Sequence, residues 1–299
     1  ICPLTFQVMV AGEDLMSYLY YPGCALKRTA IDYDESFQAV APLLGIEIKE
    51  LKDWVCCGAT VAKSVSKELA ESLPLRTLTS ADQEKMDLLT LCPSCHLNHR
   101  QMAERLQEDA AFMDRLSLRG VPKVKQLLEV LAVDVGTEKI KERIVRPLEG
   151  IRIVPYYGCL VTRPFPLGEK ESMERPRSME SLIEATGAQA VFSPYKIDCC
   201  GGGIFLSKEK VALKLSATIL KEARKFSPDC LVVACPLCHF MLDAKQRVIE
   251  RELGEKIGLP VLYITQLLGI ALGIDHKKLG MHRLITSPKH LLRKMNPHS

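Results

Sequence analysis

The sequence predicts an α/β protein made of two pseudo-symmetric repeats, each a small open α/β sheet unit with a ligand site at the carboxyl ends of its strands. Three observations support this prediction. A cysteine pattern occurs twice, strand-like and helix-like segments alternate in the same order in both halves, and the cysteines fall where a strand gives way to a turn or a helix. Open α/β sheets bind their ligands at that edge.

The repeated cysteine pattern accounts for ten of the twelve cysteines. The adjacent pair and the CxxC of the two sets are 143 residues apart, whereas the leading cysteines are 135 apart, so the second copy carries eight extra residues in one loop. A repeat of this size indicates a duplicated domain-scale unit rather than a solenoid. The first set is Cys24, Cys56, Cys57, Cys92 and Cys95, and the second is Cys159, Cys199, Cys200, Cys235 and Cys238.

In the first half, short apolar segments alternate with segments of helical periodicity. A strand at 18–21 is expected to run into Pro22-Gly23-Cys24, and the next elements each lead toward a further cysteine. The remaining predicted elements are a helix over about 33–44, a strand at 46–51, a helix over about 61–73, a strand at 88–91 and a helix from Pro93.

The second half repeats this order, and its elements complete the division of the chain. They are a strand at 151–156, a helix over about 179–186, a strand at 190–192, a helix over about 208–226, a strand at 231–234 and a helix from Pro236. The extra residues lie in the charged, proline-rich loop 162–177, which we expect at the surface near the second site. The predicted regions are an N-terminal arm (1–17), a first repeat with a charged helical linker from about 101 (18–149), a second repeat closed by a strand and helix at 261–274 (150–275), and a basic tail (276–299).

Composition narrows the class of protein. With 299 residues and 47% hydrophobic content, the chain can bury two cores of ordinary size. It has no apolar run of the roughly 18 residues that a membrane span needs, and its first residues lack the basic region of a signal peptide. The net charge of +4 is mild, and no motif indicates nucleic-acid binding. The tail after Asp275 is basic and carries no acid, so we interpret it either as a solvated tail or as a surface for an anionic partner.

The number and spacing of the cysteines favour thiolates that hold metal in a reduced, cytoplasmic protein over a disulfide framework, because this chain is large enough to build a core. Soft thiolates select zinc, copper(I) or iron–sulfur clusters. A structural zinc ion is closed by four ligands, so a fifth cysteine in each set favours a cluster with several irons. A pair of structural zinc sites remains an alternative.

The blocks YYPGC, CCGA and CPSC in the first half, and YYGC, CCGG and CPLC in the second, resemble the duplicated cysteine-rich CCG domain of the heterodisulfide reductase B subunit. The resemblance covers residues 18 to 275 and implies two non-cubane [4Fe–4S] clusters, one held by each five-cysteine set. It also implies an oxidoreductase subunit that reduces or forms a disulfide or related sulfur substrate through paired one-electron transfers. Its partners would be a ferredoxin-like iron–sulfur subunit and a flavoprotein subunit. The alternative within the family is an electron relay for a hydroxy acid or a quinone.

This chemistry requires no catalytic side chain beyond the cluster ligands, although product thiolates would need protons. His96, His99 and His239 follow the two CPxC motifs, and we interpret them as surface or outer-shell residues rather than as proton donors. We expect Trp54 to pack as a shield over the first cluster. Of the two cysteines outside both sets, Cys2 has no assigned role and Cys230 is expected to be an inert core thiol.

Overall fold

The computed structural model describes residues 15–59, 61–168 and 171–295. Most of the predicted N-terminal arm, including Cys2, and the last four residues of the tail lie outside this part of the chain. None of the helices in the described part is long and apolar enough to cross a bilayer.

The described residues form two four-stranded parallel sheets with the same topology. The first sheet has the order β2-β1-β3-β4 and the second has the order β6-β5-β7-β8. The strands are β1 (Met16–Tyr21), β2 (Ile46–Glu50), β3 (Leu88–Thr90), β4 (Val124–Gln126), β5 (Arg152–Tyr156), β6 (Gln189–Ala190), β7 (Cys230–Val233) and β8 (Val261–Tyr263).

Helices cover the sheets and connect the strands. The α-helices are α1 (Gly23–Leu26), α2 (Ile31–Val40), α3 (Ala62–Val65), α4 (Lys67–Glu84), α5 (Pro93–Glu108), α6 (Ala110–Arg115), α7 (Leu127–Glu129), α8 (Thr137–Glu142), α9 (Ser178–Ala185), α10 (Glu209–Arg224), α11 (Pro236–His239), α12 (Gln246–Leu253), α13 (Ile264–Ala271) and α14 (Lys289–Met295). Short 3-10 helices lie at Ala41–Leu44, Gly202–Ile204 and Met281–Arg283, and π-helical turns at Val130–Gly136 and Phe240–Ala244.

The central strands explain why the sequence folds this way. Every residue of β3 and β7 is buried, as expected for strands of a parallel sheet that is covered on both faces. Strand β1 pairs in parallel with β2 and β3, and β5 pairs in the same way with β6 and β7. The predicted fold class, two pseudo-symmetric α/β repeats, is therefore confirmed.

The linker between the halves differs from its prediction as a purely helical segment. Its residues Val124–Gln126 form β4, which pairs in parallel with β3 and completes the first sheet. The same position in the second half is occupied by β8, which pairs with β7. The short segment Val-Lys-Gln carries too weak an apolar signal to be read as a strand from sequence. The predicted closing strand and helix of the second half are present as β8 and α13.

The two halves pack together through α2 and the β8–α13 segment. The rings of Tyr33 and Tyr263 are stacked with their centroids 4.0 Å apart and their planes 5° apart. Beside them, the hydroxyls of Ser36 and Thr265 are hydrogen-bonded at 2.6 Å, and both residues are fully buried. Because buried polar groups are costly unless they are paired, these contacts fix one arrangement of the halves.

The described part of the basic tail is not a solvated extension, which corrects one of the two interpretations above. Arg283 forms a two-pronged hydrogen bond with Glu35 of α2, and Lys294 contacts both carboxylate oxygens of Asp229. Leu291 and Met295 of α14 are buried. Residues 276–295 are therefore packed on the body of the protein.

The loop 162–177 is largely exposed, and its described residues also reach the first half of the molecule. Thr162 is fully buried, and the ring of Phe165 packs edge-on against His96 and lies 4.9 Å from the guanidinium carbon of Arg100. A Cβ on Gly168 would meet Val133 at 3.1 Å. The described parts of this loop therefore connect the second site to α5 and to the π-helical turn of the linker.

Candidate metal centres

Each set of five cysteines is delivered by the ends of parallel strands. In the first half, β1 leads to Cys24, the turn after β2 leads to Cys56 and Cys57, and β3 leads to Cys92 and Cys95 at the start of α5. The second half does the same with β5, the loop after β6 and β7. Proline at the first helical position of α5 and of α11 suits the start of each helix, where its missing N–H costs nothing.

Sulfur atoms of both sets converge. In the first half, the Cys57 and Cys95 Sγ atoms are 3.2 Å apart, and those of Cys56 and Cys24 are 4.0 Å apart. Cys92 interacts with Cys95, so all five thiols share one site. In the second half, Cys200 and Cys238 Sγ lie 3.5 Å apart, Cys159 interacts with Cys199, and Cys235 interacts with Cys238. The structure thus brings together all ten cysteines as two sets of five.

The cysteine thiols within each site differ widely in pKa. A hydrogen bond from Cys95 lowers the pKa of Cys92 to about 7, and the same residue lowers the pKa of Cys57. Burial raises the pKa of Cys24 to about 11 and that of Cys159 to about 12, with neighbouring cysteines adding to the effect. Repulsion between neighbouring thiolates disfavours ionisation of all five thiols at once, so a fully ionised set would need positive charge at its centre.

Glycines allow the sulfur atoms to approach the backbone closely. A Cβ added to Gly158, which has a φ of +69°, would lie 2.9 Å from Cys238 Sγ, and one added to Gly23 would lie 3.3 Å from Cys95 Sγ. The N–H groups of Gly58 and Gly201 point at Cys56 and Cys199 Sγ, at 3.4 Å and 3.3 Å. Such donors stabilise negative charge on a cluster thiolate and tune its reduction potential.

The ligand set of each site can be compared with what a single metal ion and an iron–sulfur cluster need. Within the described ranges, no three cysteine, histidine, aspartate or glutamate side chains are arranged to hold a single metal ion. The donor set itself fits a polynuclear centre, because each site supplies five soft sulfur ligands, close backbone N–H groups and glycine backbone free of side chains.

One tyrosine in each half holds the turn that carries the cysteine pair, and neither tyrosine was identified as a site residue from the sequence. Tyr21 donates a hydrogen bond to the carbonyl of Val55 at 2.7 Å, and Tyr156 donates to that of Asp198 at 2.6 Å. Each acceptor directly precedes a cysteine pair. Burial, followed by the surrounding cysteines, raises the pKa of both phenols. The paired YYPGC and YYGC motifs contained this signal, since the tyrosines occupy matched positions.

Removing one of these hydroxyls gives a direct test of the support. We expect Tyr156→Phe to lower the free energy of unfolding by about 1 kcal/mol, because the part-buried hydrogen bond to the Asp198 carbonyl is lost. Urea unfolding of the anaerobic protein measures this change. Tyr195→Phe is the matched control, since that hydroxyl has no hydrogen-bond partner among the described residues. Equal stability of the two variants would contradict the assigned role.

The three histidines after the CPxC motifs are buried, not on the surface as one interpretation held. The Nε2 atoms of His96 and His239 lie 3.3 Å and 3.1 Å from the carbonyls of Val124 and Val261, on the last strand of each sheet. Neither ring nitrogen of His99 has a partner in the described part of the chain. Burial lowers the pKa of His96 to about 4 and that of His99 to about 3. Burial therefore favours the neutral form of both rings.

Trp54, which we expect to shield the first cluster, and Cys230, which we expect to be an inert core thiol, both pack in or against the core. Trp54 packs edge-on against Tyr21 with the ring centroids 5.9 Å apart, beside the first site. Cys230 is fully buried in β7, and its burial raises the pKa of the thiol. It therefore lacks the exposure and the lowered pKa of a reactive cysteine.

The second site opens into a cavity of about 220 Å³ between the two halves. All five cysteines of the second set line this cavity, together with Ala59, Pro93 and Ser94 of the first half. Tyr157 also lines it and is held by a buried network, in which its hydroxyl donates to Glu180 and Lys196 pairs with the same carboxylate. Because Lys196 also accepts hydrogen bonds from the N–H groups of Tyr157 and Gly158 through its carbonyl, the network fixes the turn that carries Cys159.

Breaking this network should be costly. We expect Lys196→Met to lower the free energy of unfolding by about 3 kcal/mol, because Glu180 is left buried without its partner charge. The double variant Lys196→Met/Glu180→Gln removes both charges and should recover most of the loss. Denaturant unfolding of both proteins makes the comparison. Equal destabilisation by the single and double variants would show that the ion pair does not carry the effect.

Comparison with known proteins agrees with this architecture. The cysteine-rich domain family CCG matches residues 18–100 and 153–243. The chain is 34% identical to the 8-methylmenaquinol:fumarate reductase membrane anchor subunit of Wolinella succinogenes, over 91% of this chain and 98% of the relative. It is 29% identical to the B subunit of the ferredoxin:CoB-CoM heterodisulfide reductase of Methanosarcina mazei, over 87% and 91% of the two chains. A protein of Archaeoglobus profundus that is similar to the heterodisulfide reductase B subunit is 27% identical over 89% and 94%.

A solved structure shows the same fold at low sequence identity. The crystal structure of a hypothetical protein from Helicobacter pylori superposes with a TM-score of 0.67 and 11% identity, covering 92% of this chain and 53% of the other. This chain therefore corresponds to about half of that protein. The family match and the relatives imply iron–sulfur cofactors and a redox subunit. The chain belongs to the family of duplicated CCG cysteine-rich domain proteins that includes the heterodisulfide reductase B subunit.

Proposed function

We propose that this chain is the iron–sulfur subunit of a multi-subunit redox complex and that its two sites act together on a disulfide or a related sulfur substrate, in the reducing or the forming direction. The observation that supports this proposal is the cavity between the halves. Its wall contains all five thiols of the second site and also Pro93 and Ser94, which directly follow Cys92 of the first. A site that served only to hold the fold together would be closed.

The ten cysteines would hold two non-cubane [4Fe–4S] clusters, one in each half. When bound, such clusters supply single electrons and iron positions that accept sulfur ligands. The chain's own residues set the geometry around them. Gly23 and Gly158 leave room for the sulfur atoms, and Tyr21 and Tyr156 brace the turns that carry the cysteine pairs. The cavity holds a small thiol compound at the boundary of both halves, where proximity lowers the cost of a two-electron reaction.

The packing between the halves supports a shared substrate. Tyr33 is fully buried, and both Cys92 and Cys235 lie near enough to raise the pKa of its hydroxyl after burial itself. The same hydroxyl is 3.4 Å from the carbonyl of Ala234, which precedes Cys235. One side chain thus lies beside a cysteine of each set. This arrangement keeps the two sites close in a rigid frame.

A second candidate function is electron relay to or from a quinone. The observation that favours it is the 34% identity to a subunit of 8-methylmenaquinol:fumarate reductase, over almost the whole length of both chains. In that case the clusters would pass electrons and no sulfur compound would bind. The ten cysteines and their supports would be unchanged.

Electrons must reach either reaction from another protein. The sequence contains neither a GxGxxG dinucleotide motif nor a ferredoxin-type cysteine run. We infer a ferredoxin-like iron–sulfur subunit and a flavoprotein subunit as partners. Names of the relatives support the first of these, since two of them are ferredoxin-linked heterodisulfide reductase subunits.

Titration with thiols separates the two candidate functions. The oxidised protein, purified anaerobically, is mixed with 2-mercaptoethanesulfonate and followed by electron paramagnetic resonance. The proposal predicts a new paramagnetic signal that broadens when the thiol carries a magnetic sulfur isotope. If no thiol alters the spectrum while a reduced menaquinone analogue reduces the clusters, the relay function is correct and the sulfur substrate is excluded.

A further inference from the structure

The second half exposes a group of large apolar side chains directly after its cysteine pair. Ile204, Leu206, Val211 and Leu215 are 40%, 96%, 47% and 38% exposed. Single exposed apolar residues are ordinary on a protein surface, whereas a group of them is typical of an interaction site. We refer to these four residues, together with Lys208, Lys210 and Lys214, as the 204–215 surface.

The 204–215 surface is held in place by the partly buried ring of Phe205. Phe205 lies between the two most prominent apolar residues, and its ring packs edge-on against Phe240 with the centroids 5.6 Å apart. The ammonium of Lys245 lies 4.7 Å from the centre of the Phe205 ring. The Lys208 N–H donates to the Ile204 carbonyl at 2.8 Å. Exposure of Ile204 and Leu206 is therefore a property of a fixed turn, which is the preorganised form that binding favours.

This surface adjoins the second metal site. The Gly201 N–H points at Cys199 Sγ, and Gly202 and Gly203 line the cavity that contains the thiols. Ile204 is the next residue, and it closes the short 3-10 helix that begins at Gly202. Cys199 itself is exposed. A protein bound to the 204–215 surface would therefore cover the mouth of the second site.

The positive charges of this surface are not neutralised by acids in the described part of the chain. Lys208, Lys210 and Lys214 form no ion pair with any residue that the structure describes. Lys208 and Lys210 flank the first turn of α10, where the helix dipole disfavours positive charge. Glu209 is the single acid among them. Uncompensated lysines at a position that costs helix stability indicate an external anionic partner.

The equivalent position of the first half makes a useful comparison. Val61, Val65 and Leu69 are 59%, 66% and 41% exposed. The lysines there have partners within the chain, since Lys63 bonds to Gln101 and Lys67 lies 4.0 Å from Glu71. Both halves thus expose apolar residues beside their thiols, but the second half alone leaves its lysines unpaired among the described residues.

We propose that the 204–215 surface is the docking site for an acidic electron-transfer protein. Apolar residues of that protein cover Ile204 and Leu206, and its carboxylates pair with Lys208, Lys210 and Lys214, as in the apolar centre and polar rim of protein interfaces. A protein partner fits better than a lipid surface. The segment 204–215 has no Trp or Tyr of the kind that anchors proteins at a bilayer interface, and the main apolar face of α10 is buried in the core. The proposal rests on the proposed function only in that electrons reach the second site.

Electron transfer from a small acidic bacterial ferredoxin tests this docking site. Stopped-flow absorbance measures the second-order rate at which the reduced ferredoxin reduces the oxidised, cluster-loaded protein. We expect the wild-type rate to fall as salt is added, and Leu206→Ser/Lys208→Glu/Lys210→Glu to lower the low-salt rate at least about tenfold. Leu206 is almost fully exposed, so these changes should leave the fold intact.

Two matched variants control for general effects of polarity and charge. Val145→Ser changes an apolar side chain that is 72% exposed, and Lys256→Glu changes an exposed lysine beside the pairing of Glu255 with Lys221. Lys221 lies roughly 18 Å along α10 from its first residue, at 1.5 Å per residue. Both controls should keep the wild-type rate. Iron content and the rate of reduction by dithionite should be the same in all variants.

Two results would overturn the docking proposal. The first is an equal ferredoxin rate for the wild type and the triple variant. The second is binding of wild-type protein, but not of the triple variant, to vesicles of phosphatidylglycerol in phosphatidylcholine with an unchanged ferredoxin rate, which would assign the surface to lipid. Failure of the proposed function would look different. The thiol-induced paramagnetic signal would be missing, while the ferredoxin would still reduce the triple variant more slowly than the wild type.

Discussion

Replacing Cys200 with alanine is expected to remove about half of the iron from the protein, because the cluster proposed for the second half would lose a buried ligand while the first set keeps all five cysteines. Cys200 Sγ is 3.5 Å from Cys238 Sγ and receives a hydrogen bond from the Gly202 N–H. Metal binding contributes to folding free energy, so the variant should also unfold at a lower denaturant concentration. Iron and acid-labile sulfide analysis of the anaerobic protein measures the loss.

The repeat provides controls for this prediction. Cys57→Ala removes the equivalent residue of the first site, whose Sγ is 3.2 Å from Cys95 Sγ, and should remove the other half of the iron. Cys230→Ala alters a cysteine that is as deeply buried but belongs to neither set. It should retain the full metal content. Full iron in Cys200→Ala would mean that the second set does not hold a cluster.

A Gly158→Ala substitution is expected to disrupt the second site with a single added methyl group. The residue has a φ of +69°, and the new Cβ would lie 2.9 Å from Cys238 Sγ and 3.5 Å from the Tyr156 ring. Two costs therefore add. The left-handed backbone disfavours alanine by about 1 kcal/mol, and the sulfur must move away from its place among the ligands. We expect the iron content to fall by about half. If the cluster moves together with the sulfur and stays bound, the loss of iron should be smaller.

Gly150→Ala separates the two costs. Gly150 has a similar φ of +74°, but a Cβ there would meet nothing within 4 Å. This variant should lose about 1 kcal/mol of stability from its backbone alone and keep all of its iron. If both variants lose the same amount of iron, the close approach of Gly158 to the sulfur is not what matters at the second site.

The sequence alone predicts much of the site because cysteine is an unusually informative residue. The offset between Cys56 and Cys199, repeated at the CxxC positions, is sufficient by itself to indicate a duplicated fold. Strand β3 and strand β7 are short apolar runs bounded by turns, so they are recognisable. The convergence of five thiols then follows from the placement of parallel strand ends at one edge of each sheet.

The features that could not be predicted from the sequence depend on contacts between residues that are distant along the chain. The three residues of β4 form a strand only because β3 offers a free edge for pairing. Phe165 binds across to α5, and Arg283 binds to Glu35, and neither contact has a local signal. The burial of the three histidines likewise depends on tertiary packing. Their polar side chains favoured a surface position, which was wrong.

We propose that each half holds a polynuclear iron–sulfur cluster. The iron, zinc and acid-labile sulfide content per chain, measured on protein purified without oxygen, decides this. Two [4Fe–4S] clusters require about eight iron and about eight sulfide per chain, with no stoichiometric zinc. Zinc without sulfide would contradict the proposal, and about four iron per chain would leave only one of the two sites with a cluster.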